Sequence, residues 1–363
     1  MVSRGSPVVR RACRALLWLA ALAGCATVGQ SDDGSVVRRY LNPVMDRNFP
    51  DPAVLRAPDG WIYAYATQSP SDDGVLNIQV ARSHDLVKWE HLGDALPVKP
   101  RWAATTQNFW APHVIFDGAR YVMYYSAEPT GAKGKCLAVA ISDAPAGPFA
   151  DSGTPLRCGE GIEHIDPMAF DDPQTGKRLL YWGSGRKPLK VQELAPDRLD
   201  FLPGSEPREI LFPDPNGTYS SLIEGSWVSY RNGTYYLFFS GNRCCGPEPN
   251  YAIMVARSAS ALGPFEPHRE PGMVGDRPIL VRNGFWNAPG HNSVITDDAG
   301  EDWLLYHAIN AGRAHFEDQV HGHGGARVML LDRIEYRDGW PRAASPSTDG
   351  QKVPVLHSGR TNK

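Results

Sequence analysis

Short apolar runs broken by glycine turns recur along this chain, each followed by a stretch of aromatic and branched aliphatic residues. Asp59-Gly60 precedes Trp61-Ile62-Tyr63-Ala64-Tyr65, Asp117-Gly118 precedes Tyr121-Val122-Met123-Tyr124-Tyr125, and Thr175-Gly176 precedes Leu179-Leu180-Tyr181-Trp182. Asn232-Gly233 leads into Tyr235-Tyr236-Leu237-Phe238, and Ala299-Gly300 into Trp303-Leu304-Leu305-Tyr306. An apolar run such as Pro52-Ala53-Val54-Leu55, a glycine turn and a β-prone run together predict an antiparallel hairpin. The units repeat at a period of roughly sixty residues. Third strands follow at Ile78 to Ser83, Leu137 to Ser142 and Ala252 to Ser258, and fourth strands after the turns Gly147-Pro148-Phe149 and Gly263-Pro264-Phe265. Three or four antiparallel strands repeated five times predict an all-β, five-bladed β-propeller. A β-sandwich would use similar strands but gives no reason for the self-similarity.

Composition agrees and removes some functions. The chain has 36 Gly and 31 Pro distributed along its length, which suits short strands joined by tight turns. The formal charge is −3, and no basic block is interleaved with aromatics, so a nucleic-acid groove is not expected.

The N-terminus reads as a targeting segment. Arg4, Arg10, Arg11 and Arg14 precede an apolar stretch from Ala15 to Ala23 that is too short to span a bilayer as a mature helix. Leu22-Ala23-Gly24-Cys25 then resembles the lipobox of bacterial lipoproteins, with Cys25 as the lipidated first residue of the mature chain. The expected organisation is a signal peptide over 1–24, an anchor and linker over 25–40, a propeller over 41–345 and a tail over 346–363. The expected product is a monomeric exported lipoprotein, held at the cell envelope or surface through Cys25. Cys136 and Cys158 flank the outer hairpin of the second unit and are placed to staple it, while the adjacent Cys244 and Cys245 are open to a vicinal disulfide or to free thiols.

Equivalent positions of the innermost strands converge on a propeller axis, so the residues about eight places upstream of each glycine turn are the candidates for a site. These are Asp51, Phe109 beside Trp110, Asp166, Glu224 and His291. Acids, an imidazole and an aromatic ring around one channel mouth match the needs of glycoside hydrolysis, in which one carboxylic acid protonates the leaving oxygen and a second, ionised carboxylate acts opposite it. Glu224, with longer reach and apolar neighbours, suits the general acid; Asp51, between prolines, suits the base; Asp166 would supply the negative charge that keeps Glu224 protonated. Taken singly, Asp51 and Asp166 are also ordinary turn residues before proline. Phe49, Trp110, Trp227 and Trp286 are candidate substrate contacts, though the tryptophans would serve equally as core. Arg327 is a candidate donor to a hydroxyl or carboxylate, against a plain surface position. His291 is open between a polar core residue, a sugar contact and a water-mediated cation ligand. His321 and His323 in a glycine-rich stretch give only a weak metal signal.

At these residues the chain resembles glycoside hydrolase family 43. The segments that carry the resemblance are Asn42-Pro43-Val44 with Phe49-Pro50-Asp51-Pro52, then Trp110-Ala111-Pro112, Ile165-Asp166-Pro167, Ile223-Glu224-Gly225-Ser226-Trp227 and Gly290-His291-Asn292-Ser293. The resemblance implies a five-bladed propeller and an inverting hydrolase, with Asp51 as base, Asp166 as pKa modulator and orienting group, and Glu224 as acid. It implies no cofactor for the chemistry, and a calcium or similar ion near His291. Cys244-Cys245 followed by Tyr251, Met254, Val255, Arg257 and Ser258 looks like endo-arabinanase members, so arabinan is the first substrate expected and xylan the second. His113 departs from the pattern at a position that is often acidic. The alternatives are an exo-acting α-L-arabinofuranosidase or β-xylosidase, a retaining fructan-type propeller enzyme, and a non-catalytic glycan-binding lipoprotein.

Overall fold

The computed structural model describes residues 27–30, 36–71, 74–269, 276–313 and 326–357. Cys25 and the pair His321 and His323 lie outside the described residues. Within them the chain forms the five-bladed β-propeller. The first blade is Ala53–Arg56, Ile62–Ala66, Gln79–Ser83 and Glu90–Asp94, and the second Phe109–Phe116, Tyr121–Ala127, Lys135–Ser142 and Ala150–Asp151. The third is Met168–Asp171, Arg178–Trp182, Leu189–Glu193 and Arg208–Leu211; the fourth is Ile223–Arg231, Thr234–Gly241, Ala252–Ser258 and Glu266–Pro267. The fifth has Trp286–Thr296, Asp302–Asn310 and Arg327–Arg333.

The amphipathic logic of each strand follows its place in the blade. Second strands are covered on both faces by neighbouring blades, and Ile62–Ala66 and Tyr121–Ala127 are buried throughout. Hence they read as continuous apolar runs rather than as alternating ones. The glycine turns before them all sit at positive φ, from 70° at Gly176 to 98° at Gly118, a conformation that costs glycine little. Cys136 and Cys158 are cross-strand partners and form a disulfide with a Cα separation of 4.0 Å. Cys244 and Cys245 pair with each other.

The sequence did not indicate how the circle closes. Among the described residues the fifth blade has three strands, and the segment before the first blade lies along its last one: Val44 and Met45 N–H groups donate to Met329 O, and Phe49 N–H donates to Arg327 O. Farther out, Val36–Tyr40 pairs with Gln351–Lys352, joining the segments taken from sequence as linker and tail. Tyr40 is fully buried and its hydroxyl donates to Leu331 O. Asn42 donates to Leu331 O at 3.0 Å and to Ser347 Oγ at 2.8 Å, and accepts from the Leu331 N–H at 2.9 Å.

Asp332 sits inside this closure, accepting from the Tyr306 hydroxyl at 2.5 Å and the Ser347 N–H at 3.3 Å. Burial pushes its carboxyl up to about 6, against these hydrogen bonds. Between its ordinary value of 3.8 and about 6, the folded chain therefore holds a proton that the unfolded chain has released. Folding stability attributable to this group falls as pH rises through that window and is level above it. Thermal denaturation measured across the window is expected to show a shallower pH dependence in Asp332→Asn than in the wild type, with the difference vanishing below about pH 4.

Candidate active site

The innermost strands begin with a repeated backbone device. Asp51, Ala111, Asp166, Gly225 and His291 occupy equivalent places in the five blades, and all have φ between 46° and 65°. Four of them carry a side chain, so each of those positions is strained unless something holds it. The hold comes mostly from the end of the second strand of the preceding blade. Thr67 Oγ1 accepts from the Ala111 N–H at 2.8 Å, Ser126 Oγ from Asp166 N–H at 3.2 Å, and Ser240 Oγ from His291 N–H at 2.8 Å. His307 Nδ1 accepts from Asp51 N–H at 3.1 Å and closes the circle. The fourth blade is the variant: Asp166 Oδ2 accepts from Gly225 N–H at 3.0 Å, which frees Ser184 to bind Glu224.

This ring brings Asp51, Asp166, Glu224, His291 and Arg327 to one channel mouth. Asp51 is 8% exposed. Its Oδ2 accepts from Thr67 Oγ1 at 2.6 Å, and its Oδ1 accepts from Arg327 Nη1 at 3.1 Å, with His291 Nδ1 3.4 Å away. Burial alone would raise this carboxyl, but the Arg327 guanidinium, and after it His291, hold it well below the usual range. His307, pushed down to about 4 by burial, is neutral and stacks at 5.7 Å on Tyr251.

Glu224 is held by two hydroxyls, Ser184 at 2.6 Å to Oε2 and Tyr251 at 2.7 Å to Oε1. The strand bulges between Glu224 and Trp227, where Gly225 sits within contact distance of the His291 ring, so a Cβ at that position would lie 3.3 Å from Nδ1. Burial, followed by the charges of Glu224 and Asp51, pushes the Asp166 carboxyl well above the usual carboxylate range, and the Gly225 N–H and Arg327 only partly offset this.

Several predicted contacts are corrected. Phe49 is 0% exposed and Trp286 1%, and Trp286 Nε1–H is spent on Ser347 O, so both rings are core with no face for a ligand. Trp227 is likewise buried, packed edge-on to His113 at 5.2 Å. His113 is a buried neutral group, lowered to about 3 by burial, whose Nδ1 accepts from Ala169 N–H across the blade boundary. Trp110 alone among these aromatics stays half-exposed at the mouth. Near His291, whose Nδ1 lies 3.4 Å from Asp51 Oδ1 and 3.9 Å from Asp166 Oδ2, no group of three His, Cys, Asp or Glu among the described residues is arranged to hold a metal directly.

The positioning residues Thr67, Ser126, Ser184, Ser240 and His307 were not singled out from sequence. Their signal was present as a hydroxyl or imidazole recurring seven or eight residues after each glycine turn.

A five-bladed propeller that gathers Asp51, Asp166 and Glu224 around one axial mouth is a glycoside hydrolase, acting on O-glycosyl bonds. The chain belongs to glycosyl hydrolases family 43, whose profile matches residues 40–341. It is 31% identical over 312 residues to the "Probable arabinan endo-1,5-alpha-L-arabinosidase D" of Emericella nidulans, covering 77% of this chain and 78% of that one. It is 25% identical over 303 residues to the "Extracellular endo-alpha-(1->5)-L-arabinanase 1" of Bacillus subtilis, covering 80% and 86%. Among solved structures, a thermostable family-43 glycoside hydrolase superposes with a TM-score of 0.70 at 28% identity, over 87% of this chain and 99% of that chain. Hydrolysis by paired carboxylates draws on no cofactor.

Removing one donor to a charged group costs about 1.5–3 kcal/mol, equivalent to roughly ten- to hundredfold in rate if the bond matters in the transition state. Tyr251→Phe and Ser184→Ala are each expected to lower kcat within that range, with KM changed less than about threefold; steady-state kinetics on an aryl glycoside checks this.

Proposed function

We propose that the protein cleaves α-1,5-linked arabinan internally, by inverting hydrolysis, with Asp51 as general base and Glu224 as general acid. The observation that carries this reading is the division of labour among three carboxylates around one mouth. Asp51, held low by Arg327, stays ionised to take a proton from water as its oxygen attacks the anomeric carbon. The bond from that carbon to the leaving oxygen breaks, and the leaving oxygen receives a proton from Glu224. The Ser184 and Tyr251 hydroxyls, donating to Oε2 and Oε1, hold Glu224 in place for this proton transfer. Asp166, through Gly225 N–H, fixes the backbone that carries the acid.

Arabinan as substrate is supported by the names of the fungal and Bacillus relatives, which span most of this chain; xylan is the second choice. Export with a lipid on Cys25, at the cell envelope or surface, is supported by the basic n-region, the short apolar stretch and Leu22-Ala23-Gly24-Cys25. We read the enzyme as a monomer.

The test is product analysis after incubating the chain that begins just past Cys25 with linear arabinan, xylan and aryl glycosides. Short arabino-oligosaccharides from arabinan are expected, with Asp51→Asn and Glu224→Gln slower by roughly 10²–10⁴. Monosaccharide alone would replace this reading with an exo-acting enzyme, and no product from any substrate would leave a glycan-binding lipoprotein.

A further inference from the structure

Lys135 is a buried cation that the chemistry above does not use. Its side chain is 5% exposed, and Nζ lies 4.0 Å from the ring centre of Trp110 and 2.9 Å from Glu128 Oε2. Asn108 Nδ2 also donates to Glu128 Oε2, at 3.1 Å. Desolvating an ammonium is expensive unless its partners are fixed, and here they come from three strands of one blade. Asn108 and Trp110 lie at the start of the first strand, Glu128 just beyond the end of the second, and Lys135 at the start of the third. The next residue, Cys136, is tied to Cys158, which anchors the strand that carries Lys135.

The geometry has a direction. Trp110 precedes Ala111, whose N–H is held by the same Thr67 Oγ1 that donates to Asp51. The ring meets Lys135 on the third strand of the same blade. The ammonium sits over the indole at 4.0 Å, and Trp110 as a whole remains partly exposed. A cation beneath an aromatic ring fixes the ring's plane as well as contributing attraction.

We propose that Lys135 is a positioning residue that, held by Glu128, locks Trp110 as a stacking platform for a neutral sugar ring of the substrate chain beyond the residue being cleaved. This rests on the reading of the protein as a polysaccharide hydrolase. The platform engages chain substrates and leaves short aryl glycosides indifferent.

The experiment compares the wild type with Lys135→Met, Lys135→Arg and Glu128→Gln on arabinan and on an aryl arabinofuranoside, and repeats Lys135→Met in a Trp110→Ala background. The expected result is a KM for arabinan raised about three- to tenfold in Lys135→Met and Glu128→Gln, the span of a partly desolvated cation–π contact. The expected kcat on arabinan and both constants on the aryl glycoside stay within about twofold, and Lys135→Arg, which keeps a cation on the ring, restores the polymer KM. In the Trp110→Ala background Lys135→Met should add nothing, because it acts through the ring. Equal KM changes on both substrates, an unchanged polymer KM, failure of Lys135→Arg to restore it, or a full additional effect without Trp110 would each overturn the proposal. Should Lys135→Met fail to fold, the half-exposed Glu128→Gln decides, and an unchanged polymer KM there overturns it. Should the wild type cleave xylan instead, the substrate reading fails while the same comparison on xylan still decides the role of Lys135. Should it cleave neither, binding of arabino-oligosaccharides to the same variants, followed by tryptophan fluorescence, decides it by the same pattern in Kd.

Discussion

Everything at the centre of this propeller depends on a circle of backbone N–H groups, most of them held by a side chain from the blade before. The chain turns through the left-handed region at Asp51, Ala111, Asp166, Gly225 and His291, and for the four residues with side chains such a conformation costs on the order of 1–3 kcal/mol each. Thr67, Ser126, Ser240 and His307 hold four of these turns from neighbouring blades. The strain redirects the strand so that the side chains at its start face the axis. A blade by itself would lack the partner for its own turn, so the site exists only when the circle is closed by the segment around Met45 and Phe49.

The same circle sets the electrostatics. One of its N–H groups, that of Gly225, is bound by a carboxylate instead of a hydroxyl, and that exchange joins Asp166 to the strand that carries Glu224. Thr67 connects the circle to Asp51, since one oxygen serves both the Ala111 N–H and the Asp51 carboxylate. Asp51 and Asp166 are both buried, but Asp51 has the Arg327 guanidinium at 3.1 Å, so the proton affinities of these two are driven apart. Distinct affinities among nearby carboxylates are what acid and base roles require.

Much of this was legible in the chain. Glycine turns followed by aromatic runs marked the hairpins, and counting back from them located Asp51, Asp166, Glu224 and His291, because a repeat maps equal sequence offsets onto equal distances from the axis. What was not legible depended on neighbours distant in sequence. A single Thr67 or Ser240 at a strand end is unremarkable until the next blade lies against it. Phe49 and Trp286 have the residue types of sugar contacts, yet residue type does not say whether a ring faces the mouth or the core. The raised proton affinity of Asp166 follows from burial and from Glu224, 58 positions along the chain, and no local pattern encodes it.

The central claim is that Asp51 and Glu224 act from opposite sides of one glycosidic bond, with water attacking directly. The most direct measurement is the anomeric configuration of the first product, followed by proton NMR before mutarotation. Direct attack by water predicts that α-linked arabinan first releases the β anomer; first release of the α anomer would mean a covalent intermediate and would contradict the roles assigned here.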